Sequence, residues 1–176
     1  MVHKPRRLGG ALGATCVAVF AVTLVTSCAH KVELVSMTEH EGMVLAQVRS
    51  EGVDNNLIGD TGKRQLVIYT PPGYDAGTAQ YPVLYYLHGA NTSGLDLARY
   101  KPHLDEHFRA HPEDAFLVVG IDGNSKVGGS FWRNSPITGQ WRTFAAEEVP
   151  RFVQENFRVS TDRGKTGIMG YSMGGG

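Results

Sequence analysis

Five consecutive residues, Gly170-Tyr171-Ser172-Met173-Gly174, have the types and spacing that present a serine hydroxyl for attack on a carbonyl. In the pattern G-x-S-x-G the serine occupies a strained turn between a strand and a helix, and the residues two before and two after it must be small. Glycine at 170 and 174 gives the backbone that room. The Ser172 hydroxyl then projects from the carboxyl end of its strand. The next amide, the Met173 N–H, points at the oxyanion formed when an ester carbonyl is attacked. The apolar run Thr166–Met169 directly ahead is the strand this turn requires. A second donor is expected at Leu87-His88-Gly89-Ala90, where another apolar run ends. There the Ala90 N–H is the donor, and Gly89 lets the loop turn close to the site. A bare G-x-S-x-G also describes an idle glycine-rich turn; the two preceding strands favour the catalytic reading.

Other clusters carry less. His103-Leu104-Asp105-Glu106-His107 fits H-x-x-E-H, which would place two imidazoles on one helix face as zinc ligands, with Glu147, Glu148 or Glu155 as a third. Pro102 keeps that helix short, and the local charge reads equally as a solvated face. Gly164-Lys165-Thr166 resembles a phosphate loop, but it precedes its strand and position 159 is Val where Gly is required. Trp132 and Trp141 could line a pocket or pack on a sheet; Trp132 is the better pocket candidate because its loop follows a strand's carboxyl end. No residue pattern calls for a cofactor.

These groups need a scaffold, and the hydrophobic pattern supplies one. Strands are expected at Met43–Val48, Gln65–Tyr69, Tyr81–Leu87, Ala115–Ile121 and Thr166–Met169. Helices are expected at Leu104–Ala110 and Thr143–Phe157, the latter kinked at Pro150. Residues 123–139 read as a Gly/Ser-rich loop. Hairpin-like strands followed by strand–helix alternation predict an α/β fold with a mostly parallel sheet.

The 176 residues suffice for one ordinary domain, and lysine plus arginine equal aspartate plus glutamate at 17 each, so no basic field exists for nucleic acid. The balance is uneven, because Lys4, Arg6 and Arg7 precede Cys28 while no acid does, leaving 14 basic against 17 acidic side chains over residues 28–176. Residues 11–25 are uncharged and mostly apolar, too short to span a membrane, and follow a basic start; this is a secretory signal pattern. It ends in Val25-Thr26-Ser27-Cys28, which resembles the bacterial lipobox. Residues 1–27 are therefore expected as a lipoprotein-type signal peptide, Cys28 as the lipidated residue holding the protein at the membrane surface of the cell envelope, 28–42 as a tether and 43–176 as the domain. Cleavage after Ala29 and an uncleaved anchor are the alternatives. Cys16 and Cys28 are the two cysteines, so residues 29–176 have no thiol nucleophile and no internal disulfide.

Five ordered stretches carry a family resemblance: L-V-I-Y-T-P-P-G-Y, Y-P-V-L-Y-Y-L-H-G, V-V-G-I-D-G, S-F-W-R-N-S-P…W-R-T-F…E-E-V-P and G-Y-S-M-G-G. Over residues 43–176 the chain resembles the branch of the α/β-hydrolase superfamily that holds esterase D, feruloyl and acetylxylan esterases, enterochelin esterases and mycolyltransferases. The resemblance implies a serine carboxylic-ester hydrolase working through an acyl-enzyme on Ser172, with a small-molecule or cell-envelope ester as substrate. The F-W-R-N-S-P…W-R-T-F stretch is most similar to mycolyltransferases and general esterases, so acyl transfer is an alternative. Where mycolyltransferases carry Asp and Arg around the first oxyanion glycine, this chain has His88 and Asn91. An acid usual after the second tryptophan is Arg142. These departures favour simple hydrolysis over trehalose transfer.

In this superfamily the triad runs Ser, then Asp or Glu, then His. After Ser172 come Met173 and three glycines, and all seven histidines lie upstream. The expectation is a partial domain ending at the nucleophile strand, with triad acid and base outside it and with little activity alone. His88 is expected to anchor its loop through the backbone rather than act as base. A non-catalytic envelope lipoprotein remnant and a zinc hydrolase through His103 and His107 are the remaining alternatives.

Overall fold

A computed structural model describes residues 31–40 and 42–176. The signal segment, Cys16, the lipobox and Cys28 lie outside the described residues.

Among the described residues, eight strands and four short α-helices follow in the order β1 (Val32–His40), β2 (Met43–Ser50), α1 (Glu51–Asp54), β3 (Lys63–Tyr69), β4 (Val83–Leu87), α2 (Lys101–Ala110), β5 (Leu117–Ile121), β6 (Asn134–Ser135), β7 (Gly139–Gln140), α3 (Trp141–Thr143), α4 (Val149–Asn156) and β8 (Thr166–Gly170). Six form one sheet in the order β1-β2-β3-β5-β4-β8. The sheet is mixed rather than mostly parallel. β1–β2, β2–β3 and β3–β5 pair antiparallel, while β5–β4 and β4–β8 are parallel. The site is built on the parallel half, whose strands point their carboxyl ends the same way.

The period-2 alternation of β3 and β5 sends side chains to both faces. Leu66, Ile68, Leu117, Val119 and Ile121 pack with Trp141, Phe144, Phe152 and Val153 on one face. Val67, Tyr69, Tyr86 and Val118 pack with Leu97 and Phe108 on the other. Helices thus cover both faces, which is why β4 and β5 read as unbroken apolar runs.

Three further expectations are corrected. Residues 32–40, expected within the tether, form β1, paired along its length with β2. Its alternation is hidden in the sequence by a register shift between Leu34 and Ser36, where one residue is inserted into the ladder. The helix expected at Thr143–Phe157 begins at Trp141 and opens into a wider π turn over Phe144–Glu148, closed by the Val149 N–H on the Phe144 carbonyl. Pro150 has no N–H to give, so the extra residue is absorbed just ahead of it. The helix expected from Leu104 starts at Lys101, with Pro102 in its first turn where a missing N–H costs nothing, after a 3-10 segment over Gly94–Tyr100.

Candidate active site

β8 lies at the edge of the described sheet, next to β4. Beyond it Tyr171 remains extended and donates its N–H to the Leu87 carbonyl at 3.3 Å, so the chain stays registered on β4 for one more residue. Ser172 then reverses direction at φ +53°, and the Gly174 N–H closes on the Tyr171 carbonyl at 2.9 Å. A side-chain-bearing residue in the left-handed region costs roughly 1–3 kcal/mol and persists only where the surroundings impose it. Here they do. A methyl at Gly170 would collide with the Gly174 carbonyl oxygen, and one at Gly174 with the Leu87 carbonyl oxygen. The result is an exposed Ser172 at the tip of a strand, followed by a single 3-10 turn over Ser172–Gly175. Met173 is second in that turn, where N–H groups have no partner within the helix.

Among the described residues, the other positive-φ, non-glycine residues are Asn91, Phe131 and Trp132. Their loops meet at the same place. Gly89 lies so close to the elbow that a methyl on it would stand 2.8 Å from the Tyr171 ring and 3.2 Å from the Ser172 Cβ. The Phe131 N–H points at the Met173 sulfur at 3.3 Å, with Gly129 also packed against that sulfur. The expected elbow and the expected oxyanion loop are therefore brought together. A cleft of about 290 Å³ opens beside them, between Thr92, Tyr100, Met169 and Tyr171 among others.

His88 is fully buried and works as the sequence led one to expect of a loop anchor. Its Nε2 accepts the Gly123 N–H at 2.8 Å, which leaves the ring proton on Nδ1, 2.7 Å from the Gly89 carbonyl oxygen. Both ring nitrogens are thus engaged with backbone. Trp132 meets the imidazole edge-on at 5.5 Å and lies on Gly123, where any side chain would strike the indole. Its ring is used in packing beneath the loop, while Phe131 beside it is 65% exposed.

Sequence reasoning missed the charged groups behind this loop. Asp122 sits 3.8 Å from His88 Nε2 and 3.7 Å from Arg64, which is itself buried, paired with Asp60 at 2.8 Å and stacked on Trp141 at 4.7 Å. Burial works to raise the Asp122 pKa, but the Asn124 N–H and the Arg64 guanidinium outweigh it and hold the carboxyl below the usual aspartate value. The signal available in the sequence was Asp122 directly following an apolar strand; nothing there marked Arg64, on β3, as its partner.

The zinc reading does not assemble. His103 and His107 lie on α2, whose Phe108 packs on one face of the sheet, whereas Glu147 and Glu148 end the π turn and Glu155 lies on α4, a stretch whose Phe144, Phe152 and Val153 pack on the other. His107 faces Asp114 at 3.6 Å. Among the described residues no group of three or more His, Cys, Asp or Glu side chains is gathered to hold a metal ion. Nor is any described helix long and apolar enough to cross a membrane.

A serine turned outward at φ > 0 on a parallel strand, beside a His-Gly loop on the neighbouring strand, defines the α/β-hydrolase fold. Comparison with known proteins narrows the class. The family model described as Putative esterase matches residues 61–176, and the chain belongs to that family. An uncharacterised protein of Corynebacterium glutamicum is 27% identical over 145 residues, 80% of this chain and 34% of that one. Among solved structures, a ferulic acid esterase aligns with a TM-score of 0.61 at 20% identity, over 82% of this chain and 51% of that one. An S-formylglutathione hydrolase from Agrobacterium tumefaciens aligns at 0.57 and 21% identity, over 81% and 54%. The chain spans a third of the curated relative and about half of each of these structures.

Proposed function

We propose that this chain carries the nucleophile half of a serine carboxylic-ester hydrolase. Ser172 attacks the ester carbonyl and gives its proton to the base, the Ala90 and Met173 amides hold the oxyanion, the alcohol leaves with that proton, and water hydrolyses the acyl-enzyme to the carboxylic acid and free Ser172. The observation that carries this reading is Ser172 held at φ +53° against the His88-Gly89-Ala90 loop. An idle serine in a glycine-rich turn would have no reason to be kept strained there. The base and the acid of the triad come from polypeptide outside residues 1–176. Support for this is that the chain spans about half of its solved relatives, and that His88 has both ring nitrogens engaged. Lipidation at Cys28 would hold the enzyme at the bacterial envelope, facing a small-molecule or envelope ester.

The test is fluorophosphonate labelling of the protein expressed from its own gene in its native host. Label on the tryptic peptide that begins at Thr166, lost in Ser172→Ala, is the expected result. No label, or label elsewhere, overturns the assignment. The isolated 176-residue chain should hydrolyse p-nitrophenyl acetate no faster than its Ser172→Ala variant. Robust Ser172-dependent hydrolysis by that chain would overturn the placement of the base outside it.

A further inference from the structure

We propose that His88 and Thr92 are positioning residues for the oxyanion hole: by gripping the Gly89 carbonyl they aim the Ala90 N–H at the ester oxygen on Ser172. This deepens the serine-esterase reading and rests on it. The Gly89 carbonyl and the Ala90 N–H belong to one peptide unit, planar and trans, so fixing the direction of one fixes the other in the opposite sense. Three donors converge on that carbonyl. They are the His88 Nδ1–H at 2.7 Å, the Thr92 hydroxyl at 2.9 Å and the Thr92 N–H at 3.4 Å. A carbonyl oxygen offers two lone pairs, so its orientation is over-determined.

Each donor is itself held. The His88 tautomer is set by the Gly123 N–H on Nε2, and its ring is fully buried against the edge of Trp132. Thr92 closes a four-residue turn from Gly89 in which Asn91 sits third at φ +57°, a left-handed position that asparagine tolerates. The Thr92 carbonyl in turn accepts from the Asn124 side chain at 2.6 Å, and the Asn124 N–H donates to Asp122 at 3.0 Å. The loop after β4 is thus tied to the loop after β5 at two points, Gly123 and Asn124. With the Gly89 carbonyl held by the buried imidazole, the trans peptide sends the Ala90 N–H the opposite way, and Ser172 is close by, its Cβ 3.2 Å from where a methyl on Gly89 would stand. Neither His88 nor Thr92 touches the reacting atoms; both act through one peptide plane.

Substitutions separate the two bonds of His88. In His88→Gln the amide oxygen can replace Nε2 as acceptor for Gly123, but the donor to Gly89 is lost. In His88→Asn the amide nitrogen replaces Nδ1–H, and the donor is kept. Thr92→Val removes one donor at constant shape. For protein from its own gene acting on p-nitrophenyl acetate, Thr92→Val and His88→Gln should lower kcat, with up to about 100-fold loss if the donor is fully misaimed. KM should be unmoved, and His88→Asn should recover most of the rate. His107→Asn on α2 is the unaffected control. A crystal structure of Thr92→Val, and of the His88→Gln/Thr92→Val pair where it folds, should show the Gly89–Ala90 peptide rotated. Unchanged kcat in both single variants, equal loss in His88→Asn and His88→Gln, or an unrotated peptide in Thr92→Val and the pair overturns the inference. Failure of the esterase reading is separately visible as wild-type turnover that does not depend on Ser172, and the peptide orientation then still decides the grip.

Discussion

Replacing Gly174 by alanine tests whether the elbow is closed by backbone contact. The methyl carbon would stand 2.0 Å from the Leu87 carbonyl oxygen and 2.6 Å from the Leu87 carbonyl carbon. Ordinary contact begins at 3.4 Å, so elbow and β4 must part by about 1.4 Å. Neither partner is a side chain that could rotate away. β4 is pinned in the sheet by β5 on its other side, so the displacement falls on Ser172–Gly175. Overpacking of this kind costs about 1–3 kcal/mol, and a displacement near 1 Å at reacting atoms costs on the order of 10² in rate. Phosphonylation of Ser172 in the natively expressed protein should therefore slow roughly a hundredfold in Gly174→Ala, and similarly in Gly170→Ala. Gly77→Ala is the control, because its methyl would find no atom closer than 3.9 Å. Urea unfolding in parallel distinguishes misplacement from collapse of the domain. If Gly174→Ala labels at the wild-type rate with an unchanged midpoint, the elbow is not closed by that contact and the explanation of the Ser172 strain fails.

Arg64→Ala should destabilise the domain by about 3–5 kcal/mol, because it leaves the Asp60 carboxylate, 6% exposed, without its cation; urea midpoints check this. Leu117→Ala, at a site with no exposed surface, should cost about 2–5 kcal/mol through the cavity it leaves, read in the same assay. Burial works to raise Asp122 and Asp105, but their partners prevail and hold both below the ordinary carboxyl value, so each stabilises the fold fully above about pH 4 and loses that contribution as pH falls through its depressed value. Asp122→Asn should flatten the acid limb of a stability–pH profile and lower stability at pH 7. At the other end, burial pushes Tyr85 and Tyr69 above the usual tyrosine value, so stability should decline from about pH 10 upward as the unfolded chain ionises first. Cys28→Ser should abolish incorporation of labelled palmitate and release the protein from the membrane fraction.

The elements that position Ser172 were legible because their signals are local. Glycines at 170 and 174 can be read as small residues around a serine without knowing what they approach, and β4, β5 and β8 announce themselves as apolar runs ending at a loop. β1 was not legible. Its residues are exposed along nearly the whole strand, and the register shift after Leu34 breaks the alternation that would have revealed it. The π turn before Pro150 was legible only as a kink, since the sequence shows the missing N–H but not where the surplus residue goes.

What the sequence by itself determined is the chemistry on offer: one serine flanked by small residues, a His-Gly loop, and strands to carry both. Only the tertiary structure decided how those parts are aimed. That Gly89 meets Ser172, that His88 spends both nitrogens on Gly89 and Gly123, and that Arg64 stands behind Asp122 are contacts between residues 83, 35 and 58 positions apart. Sequence periodicity reports which face of its own element a residue takes. Which atoms of another element it then meets depends on strand order and register, and those are fixed by how the whole sheet packs between its two helical layers.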